Sequence, residues 1–209
     1  MMETLGSKTL VMLIAPTASG KSTIMNDAVT LDDNFSRVSG FTTRAPRAND
    51  EPDLYRYVTE TDVEAIEEQG KLISKAVFPT TGIIYGTEAI DYNSRYCLLD
   101  TSANSVDYYR SLPFERTIAS SLTSPLERWK MWFDERYPDL NDDAKKRLRE
   151  AVMSISWSLT QRRDHYWLVN DGTPDEVAKR LIEIVHGESA GDDGAPYARA
   201  IMELASKEV

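Results

Sequence analysis

Apolar and polar positions change rhythm along the chain, and each change marks a different kind of element. Residues 10–15 (LVMLIA) are apolar without alternation, the pattern of a strand buried on both faces. A loop of small residues follows, and residues 23–29 read as the helix after it. The next stretch begins strand-like at FSRVSG and passes into a loop rich in proline, aspartate and asparagine. Residues 55–58 prefer a strand. TDVEAIEEQG predicts a short helix, with Thr61 and Glu64 as a capping box and Gly70 as the stop. KLISKAVF and GIIYGT predict two further strands.

From YCLLD onward, strands and helices alternate. Residues 102–112 suit a helix, RTIAS a strand, and PLERWKMWFDER a helix with Ser124 as cap and Pro125 at its first position. A long helix is predicted from about residue 142 to 163, where Leu148, Val152, Ile155 and Leu159 form one apolar stripe. YWLV predicts a last strand, and TPDEVAKRLIEIV a helix capped by Thr173. GESAGDDGAPYA then has the composition of a linker, before a short terminal helix over 199–207. The fold class is therefore α/β, a mainly parallel sheet interrupted by a strand-rich insert. One domain is expected over residues 1–187, with the insert at about 36–93, and an acidic linker and tail over 188–209.

Composition narrows the functional classes. With 209 residues, 41% of them hydrophobic, the chain is long enough to bury a sizeable core. No apolar run approaches the ~20 residues of a membrane span, and no signal-peptide pattern opens the chain, so a cytoplasmic protein without a membrane partner is expected. The single cysteine, Cys97, lies in an apolar run and reads as a buried small hydrophobe. The two histidines, His165 and His186, lack metal-ligand spacing, so no zinc site is expected. A net charge of −10 argues against nucleic acid as a partner. Two local basic clusters, Arg44 with Arg47 and Lys145, Lys146, Arg147 with Arg149, suit a small anionic substrate better.

Phosphate chemistry enters with APTASGKS, residues 15–22. This is the phosphate-binding loop pattern with Ala15 in the place of the first glycine. Gly20 permits the turn that aims successive amides at one anion, Lys21 adds a point charge, and Ser22 offers an oxygen to Mg²⁺. The following helix presents its positive end. Ala18 calls for a backbone without positive φ. TTRAPR, residues 42–47, holds two guanidinium groups around a proline, a geometry suited to gripping a phosphate. YRYV and IIYGT add phenols and the Thr87 hydroxyl.

The order A-x-x-x-x-G-K-S-T, T-T-R-x-P-R, Y-x-Y-V, Y-G-T, L-L-D, an arginine-bearing segment and VND resembles the guanylate kinase family, over about residues 10–185. The resemblance implies a P-loop NTPase core with a nucleoside-monophosphate-binding insert and a helical lid at about 128–148. It implies ATP as phosphoryl donor, Mg²⁺, and a nucleoside monophosphate as acceptor. Ala15, Pro16, Thr17, Ala18, Ser19, Gly20, Lys21, Ser22 and Thr23 would hold the ATP phosphates, with Ser22 and Asp100 on the metal side. Arg44 and Arg47 would grip the acceptor phosphate with Tyr55, Tyr85 and Thr87, and Ser39 loosely matches a further contact. Lys21, Arg44, Arg136 and Arg147 would be catalytic, Arg128 would flank the ATP side, and Asn170 would contact the donor nucleoside.

Two departures bear on the acceptor. Ser74 and Ser102 stand where the family has the carboxylates that read guanine, so a broadened or altered base choice is expected. A kinase of another phosphorylated small molecule, such as a sugar, and a catalytically inactive binding module are the competing readings. Retention of Gly20, Lys21 and Ser22 weighs against the last.

Overall fold

The computed structural model describes residues 5–46, 54–77 and 81–209. In chain order, β1 (Thr9–Ile14) leads through the phosphate loop to α1 (Lys21–Leu31). Then come β2 (Phe35–Arg37), β3 (Gly40–Thr42), β4 (Tyr55–Tyr57), α2 (Glu60–Glu68), β5 (Leu72–Val77) and β6 (Ile84–Glu88). The second half holds β7 (Tyr96–Asp100), α3 (Val106–Arg110), β8 (Arg116–Thr123), α4 (Leu126–Arg136) and α5 (Asp142–Thr160). β9 (His165–Val169), α6 (Pro174–His186) and α7 (Ala195–Lys207) complete it.

The larger sheet runs β2-β7-β1-β8-β9, and all of its pairings are parallel. β1 is buried along its whole length because helices cover both faces. Alternate residues serve the two sides. Val11 and Leu13 pack with Ile24, Met25 and Ala28 of α1 and Val177, Leu181 and Ile184 of α6. Leu10, Met12 and Ile14 pack with Tyr92, Val106 and Tyr109. β1 lies between β7 and β8, the switch point at whose carboxyl ends such sheets form their ligand crevice. The phosphate loop leaves β1 at that point.

The smaller sheet, β4-β3-β6-β5, lies inside the expected insert. On the other side, α4 and α5 share a core with α7: Trp129 and Phe133, then Leu148 and Ile155, then Ala198, Ile201 and Ala205. The apolar stripe of α5 faces this cluster, with Val152 and Leu159 partly buried beside it. Residues 195–207, inside the stretch whose composition reads as linker and tail, are thus a 13-residue helix with three fully buried positions. Among the described residues, no helix is long and apolar enough to cross a membrane.

Two caps differ from expectation. The α2 box is Thr59 with Asp62, not Thr61 with Glu64. Thr59 Oγ1 accepts the Asp62 N–H at 3.1 Å, and the Asp62 carboxylate accepts the Thr59 N–H at 2.8 Å. The earlier start places Glu60 and Asp62 in the first turn, where the helix dipole favours anions. At α4 the cap is Pro125 rather than Ser124. Ser124 is fully buried at the end of β8, where its hydroxyl has no partner among the described residues.

Candidate functional site

The phosphate loop turns on two left-handed residues. Gly20 has φ +80°, and a Cβ there would stand 2.7 Å from Asn170 Nδ2, so only glycine fits. Ala18 has φ +63°. This corrects the expectation that an alanine here would avoid positive φ. A left-handed conformation costs a residue with a Cβ about 1–2 kcal/mol, so tertiary contacts hold the loop against local preference. α1 starts directly after Gly20 with no acidic residue in its first turn, leaving its positive end unopposed.

Residues 15–23 line one wall of a cavity of about 960 Å³. Asp100 and Ser102, at and just past the end of β7, line another, and Arg136 of α4 and Arg147 of α5 reach in from the helix pair. Lys21 is ion-paired with Asp100. Arg147 is held by Glu150 at 2.8 Å and Asp143 at 3.7 Å on its own helix. Glu150, Met153 and Ser154 also line the cavity. Sequence reasoning missed them because one turn of a long helix looks like any other. Ser22 and Asp100 offer oxygens on this cavity, and among the described residues no group of three His, Cys, Asp or Glu side chains is placed to hold a metal. That donor set fits a Mg²⁺ ion carried mainly by phosphate oxygens, the usual habit of this cation.

Arg128 and Asn170 occupy different ground. Asn170 is 4% exposed, and its Nδ2 donates to the Ser19 carbonyl at 3.0 Å. Asn170 also lines a second cavity of about 370 Å³ with Ala18, Ile24, Trp132, Arg136 and Pro174. Arg128 lines neither cavity. Its guanidinium stacks over Trp132 and donates to the carbonyls of Asn170 at 3.2 Å and Gly172 at 2.9 Å.

In the insert, Arg44 is buried at 8% exposure, with its guanidinium over the rings of Tyr55 at 5.3 Å and Tyr57 at 5.7 Å. Tyr55 of β4 meets Tyr85 of β6 edge-on at 5.7 Å across β3, the strand that lies between them. Arg47 lies outside the described residues. Ser39 is half-buried in the link between β2 and β3. Ser39, Arg44, Tyr55, Ser74, Tyr85 and Thr87 line neither cavity, whereas Ser102 lines the larger one together with the loop.

Ser74 belongs to a chain of hydroxyls. The β5–β6 register shifts between Leu72 and Ser74, and that bulge sets Ser74 opposite Thr87. Ser74 Oγ and Thr87 Oγ1 are 2.7 Å apart, Thr87 Oγ1 and Tyr92 Oη 3.0 Å, and Tyr109 Oη donates to Ser74 Oγ at 3.0 Å. Burial pushes the Tyr92 and Tyr109 phenols above the usual tyrosine range, so the chain is neutral at physiological pH. Ser102, by contrast, is exposed and lies 3.2 Å from Ser105 Oγ. The nearby carboxylates Glu88 and Asp91 are spent on Arg56, at 2.6 and 2.9 Å, a buried acid pair that no sequence pattern had marked.

A parallel core with a tight loop between its first strand and first helix, a small inserted sheet and an arginine-bearing helix pair has the architecture of the P-loop NTPase fold. No protein-family model matches the chain. It is similar to the guanylate kinase of Jannaschia sp. (strain CCS1), 27% identical with 83% of this chain and 82% of the relative covered. It is also similar to that of Prochlorococcus marinus (strain MIT 9312), 21% identical over 85% and 97%. Among solved structures it matches guanylate kinase from Anaplasma phagocytophilum at a TM-score of 0.56 and 19% identity, covering 95% of each chain. The fold is guanylate kinase-like.

Proposed function

We propose that this protein is an ATP-dependent nucleoside monophosphate kinase of guanylate kinase type with broadened or altered base choice. The observation that carries the reading is the composition of the larger cavity. Lys21 of the phosphate loop, Arg136 of α4 and Arg147 of α5 converge there from three separate segments. Phosphoryl transfer needs positioning and charge neutralisation more than covalent chemistry. The terminal P–O bond of the donor breaks as an acceptor phosphate oxygen forms a new one, giving two nucleoside diphosphates.

In this reading the loop amides and Lys21 hold the donor phosphates. Arg136 and Arg147 take up charge on the transferring group, Arg147 by leaving Glu150 and Asp143. Arg44, oriented by stacking on Tyr55 and Tyr57, grips the acceptor phosphate with Arg47, Tyr55 and Tyr85. Ser22 and Asp100 would hold Mg²⁺, which supplies charge neutralisation on the phosphate oxygens. Closure of the insert and the helix pair on substrate would bring the acceptor residues to the loop and exclude water. A coupled assay of diphosphate formation, with ATP fixed and a panel of nucleoside and sugar phosphates as acceptors, tests the reading. Turnover with a nucleoside monophosphate is expected. Turnover only with a sugar phosphate, or none with any acceptor, defeats it.

A further inference from the structure

The strained phosphate loop is held from behind by two side chains. On one side of Ala18, the Thr17 carbonyl accepts the Trp129 indole N–H at 3.0 Å. On the other, the Ser19 carbonyl accepts Asn170 Nδ2 at 3.0 Å. A trans peptide points its N–H opposite to its C=O. Fixing these two carbonyls therefore turns the N–H groups of Ala18 and Gly20 away from Trp129 and Asn170. Neither amide donates to an acceptor among the described residues, and both residues line the larger cavity.

Both braces trace back to the first turn of α4. Trp129 is 1% exposed, stacked on Phe133 and backed by Ala198, Ile201 and Ala205 of α7. Ala18 itself packs against this cluster. Asn170 is held in turn by Arg128, one residue before Trp129, through its backbone carbonyl. The backbone N–H of Asn170 donates to the Thr123 carbonyl at 2.7 Å.

We propose that Trp129 and Asn170 are positioning residues for the phosphate loop. Their N–H groups keep Ala18 in the left-handed conformation and so present the Ala18 and Gly20 amides as a ready anion cradle. Arg128 acts one step further back, by fixing Asn170. The inference rests on the reading of this loop as the ATP site. It adds that the helix bearing Arg136 sets the shape of the cradle.

The test is a coupling experiment between Trp129→Phe and Ala18→Gly. Phenylalanine keeps an aromatic ring and removes the N–H; glycine adopts φ +63° without strain. ATP affinity is measured by calorimetry without acceptor, and melting temperature on the ligand-free protein. With Ala18 present, Trp129→Phe is expected to weaken ATP about fivefold to tenfold, the loss of one hydrogen bond and the order it imposes. It is also expected to lower the melting temperature by about 2–4 °C. In the Ala18→Gly background, both effects should shrink to less than half. Asn170→Ala should behave in the same way, should Trp129→Phe fail to fold. Unchanged melting and affinity, or equal losses in the two backgrounds, overturn the brace. A protein whose melting shows this coupling yet which binds no ATP overturns the nucleotide reading and leaves the brace standing.

Discussion

Lys21 and Asp100 are ion-paired across the mouth of the phosphate loop, joining the end of β7 to the start of α1. The ammonium is thus already desolvated on one side and aimed into the cavity where the transferring group would lie. Lys21→Ala should lower kcat by about 10²–10³, the usual cost of removing one donor aimed at developing charge. Asp100 is 46% exposed, and exposed pairs contribute at most about 1 kcal/mol. Melting should therefore move by no more than a few degrees. Turnover within tenfold of wild type would remove Lys21 from the catalytic set.

Arg44 should act on the acceptor alone. It lies in the insert, over Tyr55 and Tyr57 and away from the loop. Losing a charge-assisted contact costs about 1.5–3 kcal/mol, so Arg44→Lys should raise the acceptor KM by about tenfold to a hundredfold and leave that of ATP unchanged. Lysine keeps the charge and loses the planar fork, so melting should change little. A rise confined to the ATP KM would assign this loop to the wrong nucleotide.

His165 should make the fold acid-sensitive. Ser158 donates to the Ser154 carbonyl and accepts from Ser121, so Ser121 must accept from His165 Nε2, which fixes the neutral tautomer with its proton on Nε2. Burial, with Arg110 nearby, lowers the imidazole pKa to about 4. The unfolded chain, with its ordinary value near 6.5, takes up the proton first as pH falls. Stability is then full above about pH 6.5 and declines toward pH 4. For a half-buried ring the loss is about 1–2 kcal/mol after solvent screening. His165→Gln keeps an N–H for Ser121 without the titration. Its melting temperature should fall less than that of wild type between pH 7 and pH 5, and parallel curves would refute the assignment.

What the sequence made legible is what one short window contains. β1 is visible because both of its faces are apolar, and the loop after it because its spacing is local. β8 ends later than the predicted strand because Ser120, Ser121 and Thr123 are polar yet fully buried, spoiling the apolar signal. α7 is the helix expected over 199–207, but it starts four residues earlier, because its first turn lies in a stretch of linker composition and its buried face is mostly alanine, which carries little hydrophobic contrast. The partners of the phosphate loop lie 112 and 151 residues away, at Trp129 and Asn170. A tryptophan in an amphipathic helix reads as core, and nothing local tells that its N–H is aimed at Thr17. Ala18 shows the converse: its own preference pointed to the wrong backbone because the deciding contacts are tertiary.

Base choice should be looser than in a strict guanylate kinase. Carboxylates at positions 74 and 102 would accept the two N–H donors of guanine and repel the ring acceptor of adenine. Ser74 instead sits in a neutral hydroxyl chain with Thr87, Tyr92 and Tyr109, and Ser102 is an exposed hydroxyl beside Ser105. Hydroxyls donate or accept as the base requires, so the built-in repulsion is gone. A site that pairs its substrate with fixed acceptors discriminates by about 10⁴ or more, and an adaptable one by far less. The expected outcome is measurable kcat/KM for at least one monophosphate other than GMP and dGMP. Ser102→Asp should shift preference toward guanine without a folding cost, since its side chain is exposed. Ser74→Glu should shift it further but lower stability, because the carboxylate must displace the Tyr109 and Thr87 hydroxyls. Profiles of kcat/KM across ribo- and deoxynucleoside monophosphates at fixed ATP decide the matter. A wild-type preference for guanine above about 10⁴ over every other base would mean that another group reads the ring.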